Sequence, residues 1–155
     1  MITCYIVDDE SHAISVLEQY IRQTPGMKLV GSEENPLLAL DVLCRGHVEA
    51  EIVFADVDMP QLSGVDLADM IAAYTKVVFT TAHASFAVEA FDKNAVDYLL
   101  KPITYERFLK SVGKIRERRK AAPISAKVQE ETGYFFVKSE VKGKMERVDL
   151  SEILY

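Results

Sequence analysis

Short apolar runs recur along the chain, and each is followed by a segment in which apolar residues lie three and four positions apart. Runs rich in Ile, Val and Phe are typical of strands buried on both faces, whereas the longer spacing is typical of helices with one buried face. The clearest run is 52–56, IVFAD, in which four apolar residues lead to Asp56. The predicted strands are 2–7, 28–32, 52–56, 76–80 and 97–100.

Helical spacing fills the interval after each predicted strand. The predicted helices follow Ser11, open at Asn35–Pro36, follow Gly64, extend from Ser85 to about Lys93, and start after Thr104. Because five strands alternate with five helices, the strands should pair in parallel through right-handed crossovers. The pattern therefore predicts a doubly wound α/β domain of about 118 residues, with helices on both faces of the sheet.

The pattern changes after the last of these helices. A basic run, RERRK, ends at Lys120, and small or polar residues around and beyond it predict a linker over 119–132. From Tyr134 onwards the segments YFFVKS and MERVDL have the composition of strands, with EVKGK between them. We therefore expect a short C-terminal β-hairpin within residues 133–155.

Composition and charge argue against several classes of protein. The 155 residues are 49% hydrophobic and 27% charged, which is ordinary for one compact domain. A net charge of −6 argues against a general nucleic-acid surface and favours a cation in an acidic site. No apolar run approaches the roughly 20 residues that a membrane-spanning helix needs, and the N-terminus resembles a strand rather than a signal peptide. We therefore expect no membrane partner.

Cysteine and histidine residues show no ligand spacing. Cys4 and Cys44 lie far apart in apolar patterns, so we interpret them as buried thiols rather than a disulfide or a metal site, which fits a reducing cytoplasm. His12, His47 and His83 are interpreted as surface or packing residues.

Residues of matching chemistry follow four of the predicted strands. In chain order they are Asp8 and Asp9, Asp56, Thr81, and Lys101. The carboxyl ends of parallel strands meet at one edge of the sheet, so these side chains should converge there. Three carboxylates in one pocket repel each other unless a cation or protons neutralise them. Hard oxygen ligands that occupy only part of the coordination sphere suit Mg²⁺, which keeps several waters.

A lysine and a hydroxyl at the same edge would complete a site for a small dianion. The chemistry implied is attack by a carboxylate oxygen on a phosphoryl group, while the metal and the lysine offset charge. A lone Asp at a strand end more often stabilises a turn. The convergence of four segments favours the chemical interpretation.

Four motifs resemble the receiver domain of bacterial response regulators. They are DDE at 8–10, DVDMP at 56–60 with Gly64, TTA at 80–82, and DYLLKP at 97–102. The resemblance covers about residues 1–118 and implies a flavodoxin-like sheet with strand order 2-1-3-4-5. It implies a cytoplasmic signalling protein rather than an enzyme, limited to self-phosphorylation and self-dephosphorylation. The implied partners are a sensor histidine kinase and, on activation, a second copy of the chain.

The resemblance also implies roles for single residues. Asp56 would be the phosphoacceptor. Asp9 and Asp56 would bind Mg²⁺ together with the backbone carbonyl of Asp58, and Asp8 would act mostly through water. Lys101 would pair with a phosphoryl oxygen.

Three further roles are implied at the ends of the fourth and fifth strands. Thr81, rather than Thr80, would be the hydroxyl that moves towards the phosphoryl group. Tyr98 would be the aromatic switch, although it is also interpretable as a half-buried residue of an edge strand. The bond between Lys101 and Pro102 is typically cis in such domains. A mixed-charge surface that includes Lys93, Asp97, Arg107 and Lys110 is a candidate for association between copies.

The tail has its own resemblance. Residues 133–155, GYFFVKSEVKGKMERVDLSEILY, resemble the opening of a LytTR-type DNA-binding domain. We expect this module to be cut short, so that DNA binding and transcription regulation belong only to the full-length protein.

Two other classes of protein were weighed against the receiver. Asp56-Val57-Asp58 matches the Asp-x-Asp pair of aspartyl-phosphate phosphohydrolases, but their pair follows the first strand of the core, whereas here it follows the third. A flavodoxin-like cofactor carrier would need a phosphate loop of Ser, Thr and Gly where this chain has the acidic run 8–10. Turnover on small phosphate esters would distinguish the phosphohydrolase from the receiver.

Overall fold

The computed structural model describes residues 1–86, 95–131, 134–138 and 145–149. These residues form two compact units, Met1–Lys114 and Ile115–Tyr155. The first unit contains the alternating strands and helices, and the second contains a short sheet of two strands.

The first unit is built on a parallel sheet of five strands with helices between them. The strands are β1 (Ile2–Val7), β2 (Met27–Glu33), β3 (Ile52–Asp56), β4 (Lys76–Thr81) and β5 (Asp97–Leu100). The helices are α1 (Ser11–Gln23), α2 (Pro36–Cys44), α3 (Gly64–Ile71) and α4 (Tyr105–Glu131), of which residues 105–114 belong to this unit. The strand order is β2-β1-β3-β4-β5, and all pairs are parallel. This confirms the predicted fold class and strand order.

The central strand β3 is buried along its whole length, as its apolar sequence predicts. Val7 pairs with Ala55 and Asp56 pairs with Thr80 in the registers of the two neighbouring strands. The ends of β1, β3 and β4 therefore lie level with one another at the carboxyl edge of the sheet.

Helices cover the sheet with apolar faces. The buried face of α1 consists of Ile14, Leu17 and Ile21, which is the predicted spacing. Phe108 of α4 stacks on Phe54 of β3, with ring centroids 5.5 Å apart. Burial of an aromatic side chain of this size contributes about 1.5–3 kcal/mol to the free energy of unfolding.

Local sequence explains where α2 and α3 begin. The Asn35 side chain accepts a hydrogen bond from the backbone N–H of Leu37, and Pro36 occupies the first turn. The Ser63 hydroxyl accepts a hydrogen bond from the backbone N–H of Asp66.

Gly64 lies where α3 begins and touches the end of β3. Its backbone N–H donates to the Val57 carbonyl over 3.0 Å. A Cβ atom at this position would overlap the backbone carbonyl group of Asp56. The close approach of the two segments therefore requires glycine for reasons of space.

Two predicted segments differ from the structure or extend beyond it. Ala84–Phe86 form a short 3₁₀ turn, and most of the helix predicted to reach Lys93 lies outside the described residues. Helix α4 continues past Lys120, where the helix was expected to end, as far as Glu131. The small or polar residues interpreted as a linker include Ala, Lys, Gln and Glu, which also have high helix propensity, and the helix continues through Pro123 despite the low propensity of proline.

The second unit contains the predicted hairpin. Strands β6 (Tyr134–Lys138) and β7 (Met145–Asp149) are antiparallel, and Tyr134 pairs with Asp149. Within the described ranges, no helix combines the length and apolar character needed to cross a membrane.

The two cysteines of the first unit are free and differ in environment. Cys4 is fully buried in β1, and burial, with a smaller contribution from Glu51, raises the pKa of its thiol to about 12. The prediction that Cys44 is buried is wrong, because its position at the end of α2 leaves it partly exposed, and its sulfur lies 4.0 Å from the Met70 carbonyl oxygen of α3.

Candidate functional site

The carboxyl edge of the sheet brings together Asp8, Asp56 and Lys101. The Lys101 Nζ atom donates to Asp8 Oδ2 over 3.0 Å, to Asp56 Oδ1 over 3.2 Å, and to Glu10 Oε1 over 3.4 Å. Asp8 and Asp56 are buried, whereas Glu10 is exposed. The sequence therefore predicted the convergence of the two buried carboxylates and the lysine correctly.

Backbone hydrogen bonds hold Asp8 and Lys101 in place. The Asp8 N–H donates to the Glu33 carbonyl at the end of β2. The Lys101 N–H donates to the Thr81 carbonyl over 2.7 Å. The bond between Lys101 and Pro102 is cis, the isomer that the resemblance implies.

The site contains less positive charge than is needed to neutralise its buried carboxylates. Burial, followed by the charge of Asp8, raises the pKa of Asp56 to about 7, although Lys101 opposes the shift. Burial also raises the pKa of Asp8, against hydrogen bonds from the Glu10 backbone and from Lys101. Burial lowers the pKa of Lys101, but contacts with Asp8 and Asp56 outweigh burial and raise it overall. One lysine is therefore shared by two buried carboxylates.

The acidic run after β1 offers oxygen ligands close to this pocket. Carboxylate oxygens of Asp8, Asp9 and Glu10 lie within 4.8 Å of one another. Oxygen donors of this kind fit a hard divalent cation such as Mg²⁺. Glu10 was not among the predicted ligands, although its place in the acidic run could have suggested it.

Asp58 and Thr81 are both linked to His83. The side chain of Asp58 is 66% exposed and its Oδ2 lies 3.3 Å from His83 Nε2. The Thr81 hydroxyl accepts a hydrogen bond from the His83 backbone N–H over 3.0 Å. His83 was interpreted as a surface or packing residue, and no spacing in the sequence indicates that it joins these two loops.

Thr80 of β4 and Tyr98 of β5 belong to the strands next to the site. The Thr80 hydroxyl is buried and has no hydrogen-bond partner within the part of the chain that the structure describes. Tyr98 is half-buried against the apolar cluster of the sheet, and its backbone carbonyl accepts a hydrogen bond from Arg107.

A third buried aspartate, Asp97, lies at the start of β5. Arg107 donates to both carboxylate oxygens of Asp97 over 2.9 and 3.0 Å, and Lys114 donates to one of them over 3.0 Å. Burial raises the pKa of Asp97, but the hydrogen bonds from Arg107 and Lys114 outweigh burial and hold it below its ordinary value. The carboxylate of Asp97 is therefore buried and paired within its own chain. Its predicted place in an exposed mixed-charge surface is wrong. Lys93, which was assigned to the same surface, lies outside the described residues.

The family model of the response regulator receiver domain matches residues 4–113. The chain belongs to this family. Receiver domains are parts of two-component response regulators and act in signalling rather than as turnover enzymes. Phosphorylation and Mg²⁺ binding are general to this family.

Relatives and solved structures agree with this assignment. An uncharacterized response regulatory protein of Shewanella oneidensis is 40% identical over 119 residues, 76% of this chain and 50% of that protein. The transcriptional regulatory protein BtsR of Escherichia coli is 31% identical over 127 residues, 81% of this chain and 52% of BtsR. The crystal structure of the response regulatory domain of mrkE from Klebsiella pneumoniae matches with a TM-score of 0.68 at 34% identity, covering 76% of this chain and 97% of that domain. The receiver described here spans about half the length of the curated relatives it matches.

Proposed function

We propose that this receiver accepts a phosphoryl group on Asp56 from a sensor histidine kinase and thereby controls a DNA-binding output. The observation that carries the proposal is the position of the Asp56 carboxylate, which ends the central strand and lies 3.2 Å from Lys101 Nζ. A carboxylate at the sheet edge beside a fixed ammonium group is suited to attack a phosphoryl group whose oxygens the lysine can bind.

Magnesium binding is general to receiver domains, and the donor set here fits it. We assign the ion to the carboxylates of Asp9 and Asp56 and to the backbone carbonyl of Asp58, with Asp8 acting mostly through water. Glu10 is an additional candidate because its carboxylate lies within the same acidic group. When bound, the ion would offset the negative charge of the phosphoryl oxygens.

Thr81 and Tyr98 are proposed to report the phosphorylated state. The Thr81 hydroxyl is now bonded to the His83 N–H, and it would exchange this partner for a phosphoryl oxygen. Tyr98, which is half-buried next to β4, would then pack inward.

Phosphorylation of Asp56 is testable by intact mass. With acetyl phosphate and Mg²⁺, the wild-type chain should gain one phosphoryl group and Asp56→Asn should gain none. Asp66→Asn is the matched control because Asp66 is exposed on α3, and it should be labelled like wild type. A phosphoryl group on the Asp56→Asn variant would show that the assignment is wrong.

The proposed output is a LytTR-type DNA-binding domain that begins in the tail. Three features support it: the hairpin β6–β7, the length of the relatives, and the similarity to BtsR, a transcriptional regulatory protein. We accordingly divide the chain into a receiver (1–118), a linker (119–132) that is largely helical, and the start of the output domain (133–155). The full-length gene product should bind DNA, and the 155-residue chain should show no sequence-specific binding.

Activation is proposed to produce a homodimer. Beryllofluoride with Mg²⁺ should double the mass of the wild-type chain in solution, as measured by light scattering. An unchanged mass over a wide range of protein concentrations would exclude dimerisation of this chain.

A further inference from the structure

A groove of about 390 Å³ leads away from the phosphorylation site along α1. One end is formed by Asp8 and Lys101, which are also the residues in contact at the Asp56 carboxylate. The other end lies against α1 and the loop between β5 and α4. The groove is therefore continuous with the phosphorylation site.

The chemistry of the groove changes along its length. Beyond the charged end, its walls are mostly apolar: they are Ala13, Val16 and Leu17 of α1 and Pro102 and Ile103 of the loop, and His12 and Tyr20 also line the groove. A group that reaches from the phosphorylation site into the groove would thus pass from a charged environment into an apolar one. This division is typical of sites for small molecules with one anionic end and one hydrocarbon end.

The two walls are held together by the structure itself. The Tyr20 hydroxyl donates to the Ile103 carbonyl over 2.8 Å, which joins α1 to the loop. The Tyr20 ring also contacts Tyr105 and Phe108, with centroids 5.2 and 5.6 Å apart. A groove whose walls are already joined needs little ordering when a ligand enters.

We propose that this groove binds the hydrocarbon tail of a small phosphoryl donor, an acyl phosphate whose acyl group is longer than acetyl. The proposal rests on the proposed phosphorylation of Asp56 and defines the class of small donor that the site prefers. A phosphoryl group beside Asp56 and Lys101 places the rest of the donor at the mouth of the groove. The volume of about 390 Å³ is that of a small-molecule site.

The transfer is balanced without any further reactant. An Asp56 carboxylate oxygen forms a bond to phosphorus, and the bond between phosphorus and the acyl oxygen breaks. The donor leaves as a carboxylate that keeps the electron pair of that bond. No oxidant or reductant is needed, and no proton has to move.

The preference is measured as a ratio of rates. Initial rates of Asp56 phosphorylation, followed by intact mass at donor concentrations below saturation, are compared for acetyl, butyryl and benzoyl phosphate. Each methylene buried in an apolar groove should raise the rate by about two- to fourfold. Butyryl phosphate, with two more methylenes than acetyl phosphate, should therefore react about four- to sixteenfold faster with wild type.

Variants of the groove test where the preference comes from. Val16→Gln makes the wall polar and Ala13→Leu fills the groove, and both positions are partly exposed on a helix, so the fold should tolerate them. Both should bring the ratio of butyryl to acetyl rates towards one. Leu38→Gln, at an exposed position of α2, is the matched control and should keep the wild-type ratio.

Three results would overturn the proposal. Equal wild-type rates for all three donors would show that the acyl groups of small donors do not enter the groove. The groove would then be assigned to a side chain of a protein partner. An unchanged ratio of butyryl to acetyl rates in both groove variants, which includes equal slowing of every donor, would assign these residues to structural support. If acetyl phosphate still labels Asp56 in the first two cases, the proposed function stands. If no donor labels Asp56, both the proposed function and the proposed donor preference are wrong.

Discussion

Asp56 and Asp97 are buried to the same extent, with 5% of each residue exposed, yet the pKa values of their carboxyl groups move in opposite directions. Asp56 shares one lysine with Asp8, so burial dominates and its pKa rises. Asp97 accepts hydrogen bonds from both Arg107 and Lys114, and because these outweigh burial its pKa falls. The number of cationic partners, rather than burial, therefore decides the direction in which the pKa of each aspartate moves.

The ion pairs of Asp97 should stabilise the fold in a pH-dependent way. Because its pKa in the folded state is below the unfolded value, the stabilisation is present above the unfolded pKa and is lost as pH falls through the folded pKa. Asp97→Asn should lower the free energy of unfolding by about 2–3 kcal/mol at pH 7, since Arg107 and Lys114 are partly screened by solvent.

Urea unfolding of the two proteins between pH 7 and pH 2.5 measures this contribution. The difference between wild type and Asp97→Asn should be constant down to about pH 5 and shrink below about pH 4. A difference that stays the same across the whole range would show that packing, and not charge, explains the loss.

Sequence reasoning located the residues at strand ends but not the direction of loop side chains. Asp8, Asp56 and Lys101 could be placed because a parallel sheet brings its strand ends to one edge. The contacts of Glu10 with Lys101 and of His83 with Asp58 depend on the conformations of loops. Hydrophobic periodicity contains no information about those conformations, so neither contact was predicted.

At the scale of the elements, the junction between β3 and α3 depends on the missing side chain of Gly64. Gly64→Ala should destabilise the fold by about 1–3 kcal/mol because its Cβ would overlap the Asp56 carbonyl group. It should also slow phosphorylation, since Asp56 would have to shift.

Gly113 provides the matched control, because a Cβ at this position of α4 would have no heavy atom within 4 Å. Gly113→Ala should raise the free energy of unfolding by about 0.5–1 kcal/mol through helix propensity. Thermal unfolding of both variants measures the two effects, and equal stability of Gly64→Ala and wild type would refute the steric argument.

Element boundaries were predictable where the sequence contains a specific start signal. Asn35–Pro36 mark the start of α2, which was predicted to the residue, and α3 begins at Gly64, one residue earlier than predicted. The predicted end of α4 near Lys120 was wrong because the composition of the following segment was interpreted as that of a linker. Residues 121–131 instead continue the helix. A change in composition does not by itself end a helix.

At the scale of the whole molecule, the alternation of patterns predicted a parallel α/β sheet, and the strand order came from the family resemblance. The periodicity of 2 and 3.6 residues defines which elements exist, but it does not determine which strands are neighbours. The order β2-β1-β3-β4-β5 was confirmed by the structure.

The net charge of −6 and the acidic sheet edge predict that Mg²⁺ stabilises the whole fold. Millimolar Mg²⁺ should raise the melting temperature of wild type, and Asp9→Ala should remove this rise because a ligand is lost. Without metal, Asp9→Ala should be at least as stable as wild type, since a repelling charge near Asp8 is gone.

Differential scanning fluorimetry with and without Mg²⁺ measures the effect. Asp66→Ala is the control, because Asp66 is an exposed aspartate of α3 outside the acidic run, and it should keep the full response. If Asp9→Ala responds to Mg²⁺ as strongly as wild type, Asp9 is not a ligand.

The unequal environments of the two thiols have a practical consequence for spectroscopy. A maleimide dye reacts with the thiolate, so Cys4, buried and with its pKa raised to about 12, will stay unlabelled in the folded chain. Cys44 is partly exposed where α2 meets α3. The natural sequence therefore accepts one fluorophore at a defined position without any engineered cysteine, and its emission can follow the receiver during phosphorylation.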